Sequence, residues 1–193
     1  MPKFYDQAYF DHWYRDPQYA VRSERALWQR VQVDLAVAEY FLGRSVQSVL
    51  DVGCGEGAWR APLLALRPEL KYRGVDASSY AVARFGVERG LQLGRFAELA
   101  QLDLDAPVDL LICADVMHYL DEAELLAGLQ AFSSLCHGVA LLDVMHADEH
   151  FIGDHAEFVA RSEATYRRLF ADAGWHHAAP RCYLAASKPS SAE

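Results

Sequence analysis

Residues 49 to 57 read VLDVGCGEG, and their reading decides the fold. An apolar run ends in Asp51, and glycines then recur at alternate positions, 53, 55 and 57. The run suits a strand buried on both faces. The glycines suit a turn that needs left-handed backbone or a close approach to a ligand. AWRAPLLALR (58–67) follows and predicts a helix ending before Pro68.

Working outward from that turn, the same rhythm repeats. Ser23 to Phe41 carries apolar residues at helical spacing, with Ser23 as N-cap and Gly43 as stop. KYRGVD (71–76) predicts a strand, and SSYAVARFGVERG (78–90) a helix begun by serine and ended by Gly90. A weaker strand is expected within 93–99. VDLLICAD (108–115) predicts a strand, DEAELLAGLQAFSSL (121–135) a helix, and HGVALLDV (137–144) a strand. SEATYRRLFADAG (162–174) predicts a last helix, and WHHAAPRCYLAAS (175–187) a pair of terminal strands. Alternating strands and helices imply a parallel sheet covered on both faces, and right-handed crossovers make it doubly wound. A ligand then sits beyond the carboxyl ends of the strands where their order reverses, which is where the glycine turn falls.

Composition narrows the function. A chain of 193 residues with 52% hydrophobic and 23% charged residues suits one globular domain. A net charge of -9 provides no basic field for a polyanion, so nucleic acid and anionic membranes are not expected partners. Cys54, Cys113, Cys136 and Cys182 lie far apart without a CxxC pair, as expected for reduced thiols. The polar, aromatic N-terminus does not resemble a signal peptide, and no run of apolar residues is long enough to span a bilayer. A cytoplasmic protein, monomeric or homodimeric, is expected. Its parts are an aromatic and helical cap segment (1–44), one domain (45–187) and a disordered tail (188–193).

The turn has two registers. GxGxxG/A, with Asp76 some way downstream, is the dinucleotide fingerprint. GxGxG preceded by an acid also accounts for Asp51, a carboxylate that would repel a pyrophosphate and attract an ammonium or sulfonium ion. Glu56, inside the turn, argues the same way. S-adenosylmethionine carries both cations, and a carboxylate suited to a helix N-terminus.

Four segments in order carry a family resemblance. VLDVGCGEG resembles the first motif of class I S-adenosylmethionine-dependent methyltransferases, and GVDAS (74–78) their second-strand acidic motif. VDLLICADVMHYL (108–120) resembles the fourth strand and its following turn, and RRLFADAGW (167–175) the segment before the terminal hairpin. The resemblance implies a Rossmann-like α/β fold, doubly wound. Its seven-stranded sheet is mostly parallel with an antiparallel C-terminal strand, and helices lie on both faces. It implies that Gly53, Gly55 and Gly57 admit the cofactor, S-adenosylmethionine (product S-adenosylhomocysteine), and that Asp51 orients its ammonium end. It further implies that Asp76 accepts from both ribose hydroxyls, that Ala77 or Ser78 lies near the adenine, and that Ala114 offers a carbonyl to the ammonium. The adenine-facing acid and hydrophobe are expected at Glu98 and Leu99, with Asp103 and Leu104 as the alternative.

Methyl transfer needs an aligned nucleophile, and a base only when the acceptor is protonated. His118 and His146 are the candidate bases, although either can equally be a pocket wall. Trp13, Tyr14, Asp115, Tyr119 and His150 are the candidate acceptor contacts. The aromatic segment around Phe10, His12, Trp13 and Tyr14 is a candidate lid, and Arg15 and Arg22 candidate carboxylate clamps. His146, Asp148 and His150 match no firm metal-ligand spacing, and no metal is expected. With no large insertion to enclose a macromolecule, the expected function is methylation of a small molecule. A peptide or protein acceptor, a non-catalytic cofactor-binding role and an NAD-dependent oxidoreductase are the competing readings.

Overall fold

The computed structural model describes residues 3–150 and 153–186. A short helix α1 (Gln7–Phe10) and a π-turn (Asp11–Arg15) lead into α2 (Glu24–Leu42). There follow β1 (Ser48–Val52), α3 (Arg60–Leu66), β2 (Lys71–Asp76), α4 (Ser79–Arg89) and β3 (Leu91–Leu93). After a 3-10 turn (Phe96–Gln101) come β4 (Val108–Ala114), a second 3-10 turn (Met117–Tyr119), α5 (Glu122–Leu135) and β5 (Cys136–Asp143). The described chain closes with α6 (Glu163–Asp172), β6 (Trp175–Ala179) and β7 (Cys182–Ala185). The expected tail, 188–193, lies outside the described residues.

The seven strands form one sheet in the order β3-β2-β1-β4-β5-β7-β6. Pairing is parallel from β3 through β5, whereas β7 runs antiparallel to both β5 and β6. β1 pairs with β2 on one side and β4 on the other, so successive strands depart in opposite directions from β1 and leave a crevice at its carboxyl end.

Residue alternation sets the layers. Leu50, Val52, Leu111 and Cys113 face one side and pack with Leu125, Leu129 and Phe132 of α5 and Tyr166 and Phe170 of α6. Val49, Leu110 and Ile112 face the other side, against Leu27, Val31 and Leu35 of α2 and Leu63 of α3. Both sheet faces are therefore dry, which explains the nearly continuous apolar strands.

The helices stop and start on local chemistry. Ser23, Ser78, Asp121 and Ser162 each accept a hydrogen bond from the amide three residues on. Gly43 and Gly90 take left-handed angles at the ends of α2 and α4. At the amino end of the sheet, Asp109 receives both guanidinium nitrogens of Arg44 and the amide of Gln47, which ties the α2–β1 connection to β4. Arg44 holds the Asp109 carboxyl down at about 2, against the opposing effect of burial.

Two boundaries differ from the sequence reading. Ala58 and Trp59 belong to the glycine turn, and α3 begins only at Arg60. β3 spans Leu91–Leu93 and ends at Gly94, where a Cβ would meet Leu102 Cδ1 at 2.4 Å, so the expected strand over 93–99 is replaced by the 3-10 turn. Among the described residues no helix is long and apolar enough to cross a membrane.

Candidate active site

The glycine turn is held from both sides. The amides of Gly53 and Cys54 donate to the Val75 carbonyl at 2.7 and 3.1 Å, fastening the turn to β2. Gly53 has φ 70°, and a Cβ there would lie 2.1 Å from Val116 Cγ2, just past β4. Only glycine satisfies both conditions. Gly55, at φ 55°, lies under the ring of Phe10, which a Cβ would meet at 3.1 Å. Gly57 has φ 74° and packs toward Leu91 and Arg89, away from the crevice.

Asp76 closes β2 and faces the turn. One carboxylate oxygen accepts from the Gly55 amide at 2.6 Å and the other from the Ser78 amide at 2.8 Å. Burial raises its pKa, and those two bonds offset part of the rise. Each oxygen has further acceptor capacity, so the carboxylate supports the turn and can still receive a vicinal diol.

Asp51 is buried at the end of β1, where one oxygen accepts from the Tyr72 hydroxyl at 2.7 Å. Burial pushes its pKa up to about 7, helped by the Asp76 charge and opposed by the Tyr72 bond, Arg22 and Arg30. A carboxylate in that state gains from an incoming cation, which would relieve its desolvation.

Asp115 follows β4 at φ 61°, a strained angle for a residue with a side chain. Its Oδ1 is buried without a hydrogen-bond partner, and Arg22 approaches Oδ2 only to 4.0 Å. A buried acceptor without a protein partner, on strained backbone, is a group that can receive a donor from a bound molecule.

Three cavities meet at Tyr14 and Asp115. The largest, about 440 Å³, runs from Gly53 and Gly55 past Asp76 and Ala77 to Gly94–Phe96. A cavity of about 120 Å³ lies between the turn, Asp51, Ala114 and Arg22. The remaining one, about 170 Å³, is walled by Trp13, Arg30, His118, Tyr119 and Asp143 among others. The N-terminal aromatics form the roof: the Phe10 ring sits 5.8 Å from Tyr14 and 5.9 Å from Tyr80. Arg15 latches this roof to the turn by donating to both Glu56 oxygens at 2.6 and 2.5 Å, and it also binds Asp11. Its charge is thereby used; Arg22 lines both the 120 and the 170 Å³ cavities, and Arg30 the latter.

The structure thus brings Asp51, Gly53, Gly55, Asp76, Ala77, Ala114, Trp13, Tyr14, Asp115 and Tyr119 to the connected cavities. Other expected residues fall elsewhere. Glu98 points to solvent from the 3-10 turn and Leu99 is in the core, so Gly94–Phe96 supply that wall instead. His146 lies outside these cavities with Asp148 and Glu149 at 3.7 and 3.5 Å, and His150 is exposed. His118 does reach a cavity wall, but its Nδ1 accepts from the Met145 amide at 3.2 Å and burial lowers its pKa to about 4. The neutral ring then carries its proton on Nε2, a donor arrangement unsuited to a general base at that atom. Among the described residues no group of three or more His, Cys, Asp or Glu is placed to hold a metal ion.

Known proteins match part of this sequence and share its fold. The family described as a methyltransferase domain matches residues 50–138. Nodulation protein S of Azorhizobium caulinodans is 31% identical over 94 residues, covering 48% of this chain and 45% of that protein. The chain thus aligns with less than half the length of that curated relative. The structure of magnesium protoporphyrin IX methyltransferase from Synechocystis PCC 6803, with bound S-adenosylhomocysteine, superposes with TM-score 0.66 at 20% identity, over 94% of this chain and 96% of that one. A SAM-dependent methyltransferase from Archaeoglobus fulgidus superposes with TM-score 0.64 at 18% identity, over 80% and 70%.

Proposed function

We propose that the chain is a class I S-adenosylmethionine-dependent methyltransferase that transfers a methyl group to a small-molecule acceptor in the cavities beyond β1 and β4, a reading supported by the methyltransferase-domain match over residues 50–138 and by the shared fold. The observation that carries the reading is the meeting of three cavities at Asp115, each lined by a different chemistry. The 440 Å³ cavity, with the Asp76 carboxylate and the apolar wall at Phe96, suits a nucleoside. Its 120 Å³ neighbour, with Asp51, the Ala114 strand end and Arg22, suits an amino-acid end that carries both an ammonium and a carboxylate. The 170 Å³ cavity is left for the acceptor, and its size favours a small molecule over a folded protein.

When bound, S-adenosylmethionine would supply an electrophilic methyl carbon to the acceptor's lone pair. The protein's part is alignment and exclusion of water. Asp76 would hold the ribose, while Asp51 with the Ala114 carbonyl would orient the ammonium. The roof of Phe10, Trp13 and Tyr14, latched by Arg15 to Glu56, covers the reacting centre. Asp115 sits where cofactor and acceptor meet, and its unpaired oxygen positions the acceptor. Because His118 is a neutral donor, an acceptor proton leaves by another route.

Calorimetric titration with S-adenosylhomocysteine, then methyl transfer to a panel of amines, phenols, carboxylates and thiols, tests the reading. Cofactor binding with turnover of a small acceptor supports it. Cofactor binding with turnover of peptides alone would move the acceptor to the protein class, and absence of cofactor binding would end the proposal.

A further inference from the structure

The segment before α1 places the ammonium of Lys3 inside a box of tyrosines. Its Nζ lies 3.4 Å from the centroid of the Tyr119 ring and 5.5 Å from those of Tyr5 and Tyr9. Asp154 Oδ2 pairs with it at 2.6 Å, and the Ala156 carbonyl accepts from it at 3.4 Å. The Lys3 side chain is 8% exposed and that of Asp154 12%. A buried ammonium is costly unless ring faces and a carboxylate replace its water, and this box supplies both. The three phenols are pushed up by burial and stay neutral.

The position of the box gives it meaning. Tyr9 and Tyr119 are walls shared by the 440 and 170 Å³ cavities, and Asp154 lines the smaller of the two. The Tyr119 hydroxyl donates to the Asp154 carbonyl at 2.8 Å, so the ring that faces the cation and the segment bearing its carboxylate are fixed together. A cation receptor therefore stands between the nucleoside cavity and the acceptor cavity, filled by a side chain from the terminal segment of the same chain.

We propose that this box is the acceptor's alkylammonium subsite, with Lys3 as an internal occupant that the acceptor displaces. The inference rests on the methyltransferase reading and narrows the acceptor to a molecule bearing a protonated amine. Lys3 then acts as a competitor, lowering the apparent affinity for the acceptor by the fraction of time the box stands filled.

The test is calorimetric titration of the S-adenosylhomocysteine-saturated chain with butylammonium, which copies the lysine side chain, and with butan-1-ol as its neutral isostere. Lys3→Met keeps the aliphatic stem and vacates the box. It is expected to bind butylammonium about tenfold more tightly than the parent chain, with no comparable gain for butan-1-ol. Adding Asp154→Asn to Lys3→Met should remove that gain while leaving the S-adenosylhomocysteine affinity in place, because Asp154 lines the 170 Å³ cavity and not the 440 Å³ one. A proton–carbon NMR spectrum of the lysine-labelled parent chain gives a second readout that needs no variant. The Lys3 ε-methylene, shifted by the Tyr119 ring, should move to the free-lysine position as butylammonium is added. Equal affinity of Lys3→Met and parent, or equal binding of the alcohol, or a Lys3 signal that does not move, would overturn the inference. With S-adenosylhomocysteine binding intact, any of those results leaves the methyltransferase reading standing and reduces Lys3 to a structural staple. Failure to bind S-adenosylhomocysteine would instead remove the premise.

Discussion

Cofactor affinity should fall on acidification through neutrality, and Asp51 should be the cause. Without ligand its carboxyl titrates at about 7, because burial opposes its charge more than Tyr72, Arg22 and Arg30 support it. A ligand ammonium beside it favours the ionised form, so binding is linked to loss of a proton. The affinity then scales with the ionised fraction, which changes about tenfold between pH 8 and pH 6, or about 1.4 kcal/mol. The opposite sign applies to the stability of the ligand-free chain. A folded pKa above the ordinary 3.8 means that protonation favours the fold, a contribution present below 3.8 and lost as pH rises through about 7. That difference amounts to at most about 4 kcal/mol. The thermal stabilisation by S-adenosylhomocysteine should therefore grow from pH 6 to pH 8. The assay is calorimetric titration with S-adenosylhomocysteine across that range, in the parent chain and in Asp51→Asn. Asp76 and Asp143 are also raised by burial, and the Asn variant separates their effect from that of Asp51. His118, at about 4, titrates outside the window. Equal affinity at pH 6 and pH 8, or an undiminished slope in Asp51→Asn, would refute the reasoning.

Three further outcomes are expected. Asp76→Ala should weaken S-adenosylhomocysteine binding by about 1 to 3 kcal/mol, through lost hydrogen bonds to a charged group and a loosened Gly55 amide, as read by calorimetry. Gly53→Ala should abolish binding, because its methyl collides with Val116, and Val116→Gly in the same chain should restore part of it; unimproved binding in the double variant would locate the damage in the backbone angle alone. Arg44→Met should lower the urea midpoint at pH 7 and much less at pH 2. Asp109 is held down at about 2, so the stability from its pair is present above 3.8 and lost as pH falls through about 2.

The layout of the fold was legible because each element announces itself locally. Serine or aspartate caps precede α2, α4, α5 and α6, left-handed glycines end α2 and α4, and continuous apolar runs make β1 and β4. Legibility ended where tertiary packing decides. A strand is expected within 93–99, yet Gly94 packs against Leu102, and the buried positions that follow, Phe96 and Leu99, are three apart and belong to a 3-10 turn. That removes Glu98 from the cavity and puts Gly94–Phe96 there. Around the acceptor cavity the sequence supplies several histidines of similar standing. Burial and the Met145 amide, donated to His118 Nδ1, distinguish a neutral ring from a base. The Lys3–Asp154 pair joins residues far apart in sequence, and no local pattern signals it. The crowded tyrosines of the first twenty residues were the one available hint.

The central claim is tested most directly by thermal unfolding of the chain with S-adenosylmethionine, S-adenosylhomocysteine and NAD side by side. At a ligand concentration of about 100 times the dissociation constant, specific binding adds about 2.7 kcal/mol, enough to raise the midpoint by a few degrees. The account predicts such a rise with both adenosyl sulfur compounds and none with NAD. A rise with NAD alone would contradict it, because the Asp51 carboxylate at the end of β1 would then be facing a pyrophosphate.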